Sequence, residues 1–174
     1  MSDTNQNICL YCALCCDGTL FNQANIKENE QIVTELSFEI IENEKRAFRQ
    51  PCPYLKEKSC SIYAVRPFSV CEAFQCKLLR AFRAGNITFD DAMKAISDIM
   101  AFQEKIELQL LEHDSENMGD SFSSKIENFN KQHTEAKDKV AFRKKNGKTL
   151  LDILIMSKIL SRSFWNNPGK KRME

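Results

Sequence analysis

The sequence predicts a mainly α protein in which a small, loop-rich cysteine unit precedes a helical C-terminal region. Three observations carry that expectation. All eight cysteines fall between Cys9 and Cys76, and the 98 residues that follow contain none. Pro51, Pro53 and Pro67 interrupt the second half of the cysteine-bearing segment and exclude long regular helices there. Beyond Cys76, apolar residues recur at helical spacing over long stretches. At 174 residues the chain suits one compact unit, or a small unit with an appendage, so we expect a cysteine domain at 1–86 and a helical extension at 87–174.

Taken in order, Thr19-Leu20-Phe21 reads as a short strand or turn, and Val33, Leu36, Ile40 and Ile41 recur at helical spacing, which places a helix near 29–36 or a little beyond. The proline-rich stretch around Cys52 and Cys60 reads as loops. CEAFQCKLLRAF, from Cys71 to Phe82, reads as one helix stopped by Gly85. Thr88 with Asp91 forms a capping-box pattern that opens an amphipathic helix of about six turns. Its stripe is Phe89, Ala92, Met93, Ile96, Ile99, Met100, Gln103, Ile106 and Leu110, and it should be the longest element. Residues 113–124 read as a linker or helix break, and a charged, weakly striped helical region follows from Phe122 to Lys145. Gly147 punctuates that region; Thr149 with Asp152 then opens a last helix, LLDILIMSKIL, closed by Asn166-Asn167-Pro168-Gly169.

Composition narrows the function. With 25 basic and 24 acidic residues the net charge is +1, which offers no global field for a polyanion, so nucleic acid is not the expected partner. The basic run from Lys137 to Lys148 and the tail Lys170-Lys171-Arg172 read as a solvated helix face and a free end. MSDTNQNICL lacks the positive start and apolar run of a secretory signal, and no stretch reaches the ~18 apolar residues of a membrane span. We therefore expect a cytoplasmic protein with no membrane partner. No GxGxxG, P-loop or GxSxG pattern occurs, so any enzyme activity would have to be built on the cysteines.

In a reducing compartment, eight clustered thiols point to thiolate ligation of metal rather than to disulfides. The spacing is C-x2-C-x2-C-C-x35-C-x7-C-x10-C-x4-C, through Cys9, Cys12, Cys15, Cys16, Cys52, Cys60, Cys71 and Cys76. A C-x2-C step brings two sulfurs within reach of one ion or cluster face. Cys15 and Cys16, being adjacent, project apart and do not readily complete one tetrahedron with Cys9 and Cys12; at least one faces a second centre or is not a ligand. Counting alone allows two four-ligand sites, or one with spare cysteines. Whichever holds, the Cys52–Cys76 group must return across the 35-residue insertion, and ligation free energy can offset that loop closure. The histidines, His113 and His133, have no cysteine at ligand spacing and read as solvated helix-face residues. The methionines, scattered over predicted helices, read as core filler.

CLYCALCCDGTLF, followed by QPCPYLKEKSCSIYAVRPFSVCEAFQCKLLRA, resembles the CxxCxxCC cysteine-cluster family, a zinc- or iron-chelating domain of YkgJ type. The resemblance spans roughly residues 7–84 and includes Gly18, Thr19, Pro53, Tyr63, Arg66 and Pro67 besides all eight cysteines. It implies metal or iron–sulfur binding; flagellin lysine N-methylases are among the longer relatives, with much sequence that this chain lacks. Tyr63 and Arg66 have two readings: hydrogen-bond donors to a bound cofactor that raise its reduction potential, or members of a turn fixed by Pro67.

The leading expectation is thus a metal-bound cysteine unit holding an iron–sulfur cluster, 4Fe-4S by its C-x2-C-x2-C run, with a redox or protein-modification role. The alternative is structural zinc, with the C-terminal helices recruiting a protein partner. A third reading, weaker on residue grounds, is storage or delivery of Cu(I).

Overall fold

A computed structural model of the chain describes residues 7–31, 36–42, 44–113 and 121–165. In chain order the elements are α1 (Cys9–Cys12), β1 (Gln23–Asn25), β2 (Ile40–Glu42), β3 (Arg46–Arg49), β4 (Leu55–Lys56), β5 (Ser59–Cys60), α2 (Val70–Ala73), α3 (Lys77–Arg83), α4 (Phe89–His113), α5 (Phe122–Glu135) and α6 (Lys139–Ser163). The protein is mainly α, with a helical C-terminal region behind a small region of strands and loops.

The helical region is organised by α4. Its start is the expected capping box: Asp91 N–H donates to Thr88 Oγ1 (3.1 Å), and Thr88 N–H donates to Asp91 Oδ2 (3.0 Å). Ala92, Ile96, Ile99, Ile106 and Leu110 are its buried residues, as the stripe requires, and α6 packs along it. At 25 residues α4 shares the greatest length with α6 rather than holding it alone. Met93, Met100 and Met156 join this core as filler.

The predicted break at Gly147 is a kink one residue earlier, at Asn146, and the second capping box does not form. The chain leaves helical geometry at Asn146, whose φ is −113°, and α6 continues beyond this kink without a new cap at Thr149. Tertiary burial overrides the local signals: Thr149, Asp152, Met156 and Leu160 form a buried stripe, and Asp152 takes hydrogen bonds from Lys105 Nζ (3.0 Å) and Gln109 Nε2 (2.8 Å) of α4. The Phe122–Lys145 helical region divides instead near residue 137, where the Asp138 carboxylate caps α6 by accepting from the Val140 and Ala141 N–H groups. Of the 113–124 linker, His113 closes α4 and Ser121 caps α5; residues 114–120 lie outside the described residues, as do 166–174 with the closing Asn-Asn-Pro-Gly and the basic tail.

The cysteine region is more regular than its prolines suggest. Strands β1, β3 and β2 form an antiparallel sheet in that order, with Ala24 opposite Phe48 and Ile40 also opposite Phe48. Ile40 and Ile41 are therefore strand residues, which overturns the helix placed near 29–36 at that end; residues 32–35 lie outside the described residues. The aromatic cluster Phe38, Phe48 and Phe68 selects the extended form, since a strand presents Ile40 to Phe48 across the ladder. Strands β4 and β5 make a hairpin whose two turn residues, Glu57 and Lys58, both have positive φ (47° and 67°). That turn usually advertises itself with Asn-Gly, and Glu-Lys gives no such signal. Thr19-Leu20-Phe21 is not a strand: Thr19 and Leu20 form a bend and the regular pairing begins at Gln23.

Candidate metal centre

Two hydrophobic clusters frame the site. Ile8, Leu14, Leu20, Leu78, Leu79 and Phe164 belong to the large helical core, while Ala24, Phe48 and Phe68 with Phe38 and Val70 form the small core on the sheet. Between them lies a cavity of about 130 Å³ lined by all eight cysteines and by Tyr63 and Arg66. Cysteines separated by up to 67 positions thus meet around one space.

Local structure aims each thiol. Cys9 and Cys12 lie one turn apart on α1, which presents both to one side. Ala13 then takes left-handed φ (53°), and the N–H groups of Cys16 and Asp17 both donate to its carbonyl (2.7 and 2.9 Å), tightening the turn that carries Cys15 and Cys16. Cys52 N–H donates to Cys16 carbonyl at 2.7 Å, so the second cysteine group is stitched onto the first by the backbone. Cys60 ends the hairpin, and Cys71 N–H donates to Phe68 carbonyl (2.9 Å).

The single helix expected over Cys71–Phe82 is two helices. Phe74 is extended, and Cys76 has φ −66° and ψ 166°, so α2 ends and α3 begins on either side of them. The Cys76 thiol caps α3 by accepting from Leu79 N–H at 3.4 Å. The break is what allows both Cys71 and Cys76 to line the cavity. Gly85, with φ 71°, stops α3 as its left-handed tolerance predicts.

The eight cysteines are free of disulfides. Burial, followed by the charges of neighbouring thiols, pushes the Cys9 and Cys15 thiols up, and it pushes Cys12 up to about 12. Cys16, Cys52 and Cys76 are raised chiefly by burial, and Cys71 by the same cause to about 11. Partly opposing this, Arg83 and Arg66 act on Cys9, and Arg80 acts on Cys76. Such a set cannot ionise together without a compensating cation, and a thiophilic metal is the species that supplies one.

Arg66 bears directly on that requirement. Its guanidinium lies 4.7 Å from the centroid of the Tyr63 ring and pairs with Glu72 at 3.0 Å, yet its Nε is buried with no hydrogen-bond partner among the described residues. Tyr63 Oη accepts from Asn7 Nδ2. A buried donor left without an acceptor is costly, and sulfur ligands of an anionic centre at the same cavity wall would satisfy it. The donor set is all sulfur, which suits zinc or iron–sulfur chemistry. Among the described residues, no three ligating side chains are already gathered on one point, so the thiols surround a space and would close on what enters it.

The two histidines stay away from the cavity. His113 is not solvated as expected: it packs edge-on against Phe129 and Phe142 and shares a hydrogen bond with Gln132 (2.8 Å). His133 stacks on Phe142. The basic residues Lys137, Lys139, Arg143, Lys144, Lys145 and Lys148 are exposed on or beside α6. Sequence reading missed Arg80, Arg83 and the Phe164 wall; Phe164 arrives from beyond α6, where its carbonyl accepts from Lys77 N–H (3.0 Å), and nothing local marks it.

Residues 8–90 match the model of the CxxCxxCC family, described as a proposed zinc- or iron-chelating domain. This stretch, just under half of the chain, is similar to that family. No curated protein and no solved structure matches the chain. The matched stretch thus ends two residues into α4, and every thiol of the cavity lies inside it. The chelation described for that family and the eight thiols lining the cavity agree on metal binding. Among the described residues, no helix is long and apolar enough to cross a membrane.

Proposed function

We propose that the CxxCxxCC domain holds iron as an iron–sulfur centre and serves a redox or protein-modification role. The observation that carries this reading is the gathering of eight free thiols around one cavity, with the buried, unpartnered Nε of Arg66 at its wall. Sulfide and thiolate acceptors would satisfy that donor, and a hydrogen bond to cluster sulfur raises the reduction potential. Tyr63 holds the guanidinium in place from one face. The free thiols suit a reducing compartment such as the cytoplasm.

Structural zinc is the second reading. Leu108 and Leu111 of α4 and Leu151, Leu154 and Ile155 of α6 are exposed at helical spacing, which supports a protein-binding role for the helices on a fold fixed by redox-inactive metal. Anaerobic purification from iron-replete cells, with metal and acid-labile sulfide analysis and an absorption spectrum, tests the two. Brown protein with broad visible absorption and sulfide is the expected result; colourless protein with stoichiometric zinc overturns the iron reading.

A further inference from the structure

We propose that the eight cysteines form two four-thiolate centres, Cys9, Cys12, Cys15 and Cys76 in one and Cys16, Cys52, Cys60 and Cys71 in the other, so that the adjacent pair Cys15-Cys16 divides between them. The inference rests on the metal-binding reading above and adds which thiols act together.

Packing divides them first. Cys12, Cys15 and Cys76 pack into the large helical core, whereas Cys16, Cys52, Cys60 and Cys71 take no part in it; Cys9 is exposed and outside that core, and joins the first group through α1, which it shares with Cys12. Chain connections divide them in the same way. Cys9 and Cys12 share α1, directly ahead of Cys15, and Cys76 joins them by standing at the N-terminus of α3, whose Leu78 and Leu79 belong to the same core as Ile8 and Leu14. On the other side, Cys52 bonds to the Cys16 backbone, Cys60 lies on the hairpin that follows, and Cys71 hangs from Phe68 of the small core.

Adjacent residues in a tight turn point to different sides, so one turn can feed both centres. Each group has the four sulfurs that a tetrahedral zinc-type ion or a cubane cluster takes. The 35 residues between Cys16 and Cys52 are then the loop closed by the second centre alone, while Cys76 closes the first.

Titration of the full-length apo chain with Co2+ tests the grouping, because a four-thiolate Co2+ site has a distinctive sulfur-to-metal absorption. The wild type should take up two equivalents with that spectrum. Cys12→Ser, Cys76→Ser and their double variant should each keep one equivalent, because they damage the same centre. Cys12→Ser with Cys60→Ser should keep none, and so should Cys15→Ser with Cys16→Ser. Circular dichroism shows whether each variant retains its helices. For the wild type itself, alkylation of chains loaded with one equivalent, followed by fragmentation of the intact mass, should show Cys15 and Cys16 protected in different molecules or at different loading. Joint protection of Cys15 and Cys16, or retention of one equivalent by their double variant, overturns the division. A single equivalent in the wild type, abolished by serine in either group, also overturns it and leaves metal binding standing. A wild type that takes up no metal refutes the metal-binding reading itself.

Discussion

Gly18→Ala is the sharpest test of how the cysteine unit is joined to the helices. Gly18 follows Cys16 by two residues and has φ 81°, a left-handed value that costs an alanine roughly 1–2 kcal/mol. A Cβ there would stand well inside contact distance of Ser121 Cβ, 3.2 Å from Ser121 Oγ and 3.4 Å from Gln50 Cβ. Ser121 cannot swing away, because its Oγ caps α5 through Ser124 N–H (3.1 Å), and Gly18 carbonyl accepts from Ser123 N–H (3.1 Å) and Oγ (2.5 Å). Overpacking of this kind costs about 1–3 kcal/mol. Alanine also stiffens the unfolded chain, which returns roughly 0.5 kcal/mol, so the net loss is about 3 kcal/mol. For a chain of this length that lowers the melting temperature by roughly 6–12 °C. Thermal and urea unfolding followed by far-ultraviolet circular dichroism measure it. Ser121→Gly, which removes the opposing Cβ while costing the cap only a few tenths of a kcal/mol, should recover ~1–2 kcal/mol in the double variant. A Gly18→Ala protein within ~0.5 kcal/mol of wild type, or one that Ser121→Gly does not rescue, would refute the close-approach argument.

Further expectations follow from the cavity and the helical core. Metal removal should expose the amides of residues 7–76 to hydrogen exchange while α4 and α6 stay protected, since the small sheet core has few apolar residues; equal protection with and without metal would contradict this. Because burial holds Cys12 up to about 12 and Cys71 up to about 11, metal uptake at neutral pH must expel protons, and apparent affinity should fall as pH falls; calorimetry in buffers of different ionisation enthalpy counts the protons. Arg66→Met should make the reduction potential of an iron–sulfur centre more negative by on the order of 60 mV, as protein-film voltammetry would detect; an unchanged potential leaves Arg66 a packing residue. Burial works against the charge of Asp152, yet Lys105 and Gln109 outweigh it and hold the carboxyl below its ordinary value. Asp152→Asn should therefore cost about 1–2 kcal/mol at neutral pH, a difference fully present above the unfolded carboxyl value and lost as pH falls through the lower folded one, measurable by urea unfolding at several pH values.

The amino-acid sequence by itself determined the mainly α class, the Thr88–Asp91 start of α4 with its buried stripe, the stop at Gly85 and the clustering of eight thiols ahead of the helices. These are local properties, written in period, capping pairs and cysteine spacing, and they need no distant partner to be legible. Only the tertiary structure decided that Ile40 and Ile41 extend rather than coil, because their partner Phe48 lies across a ladder. It decided that α6 only kinks at Asn146 and does not open a new cap at Thr149, because Lys105 and Gln109 of another helix take up the Asp152 carboxylate. It also decided how the thiols meet. Spacing counts residues along the chain, but the Cys16–Cys52 backbone bond, the break at Cys76 and the Phe164 wall join segments far apart in sequence, and the free energy that fixes them belongs to contacts no single segment contains.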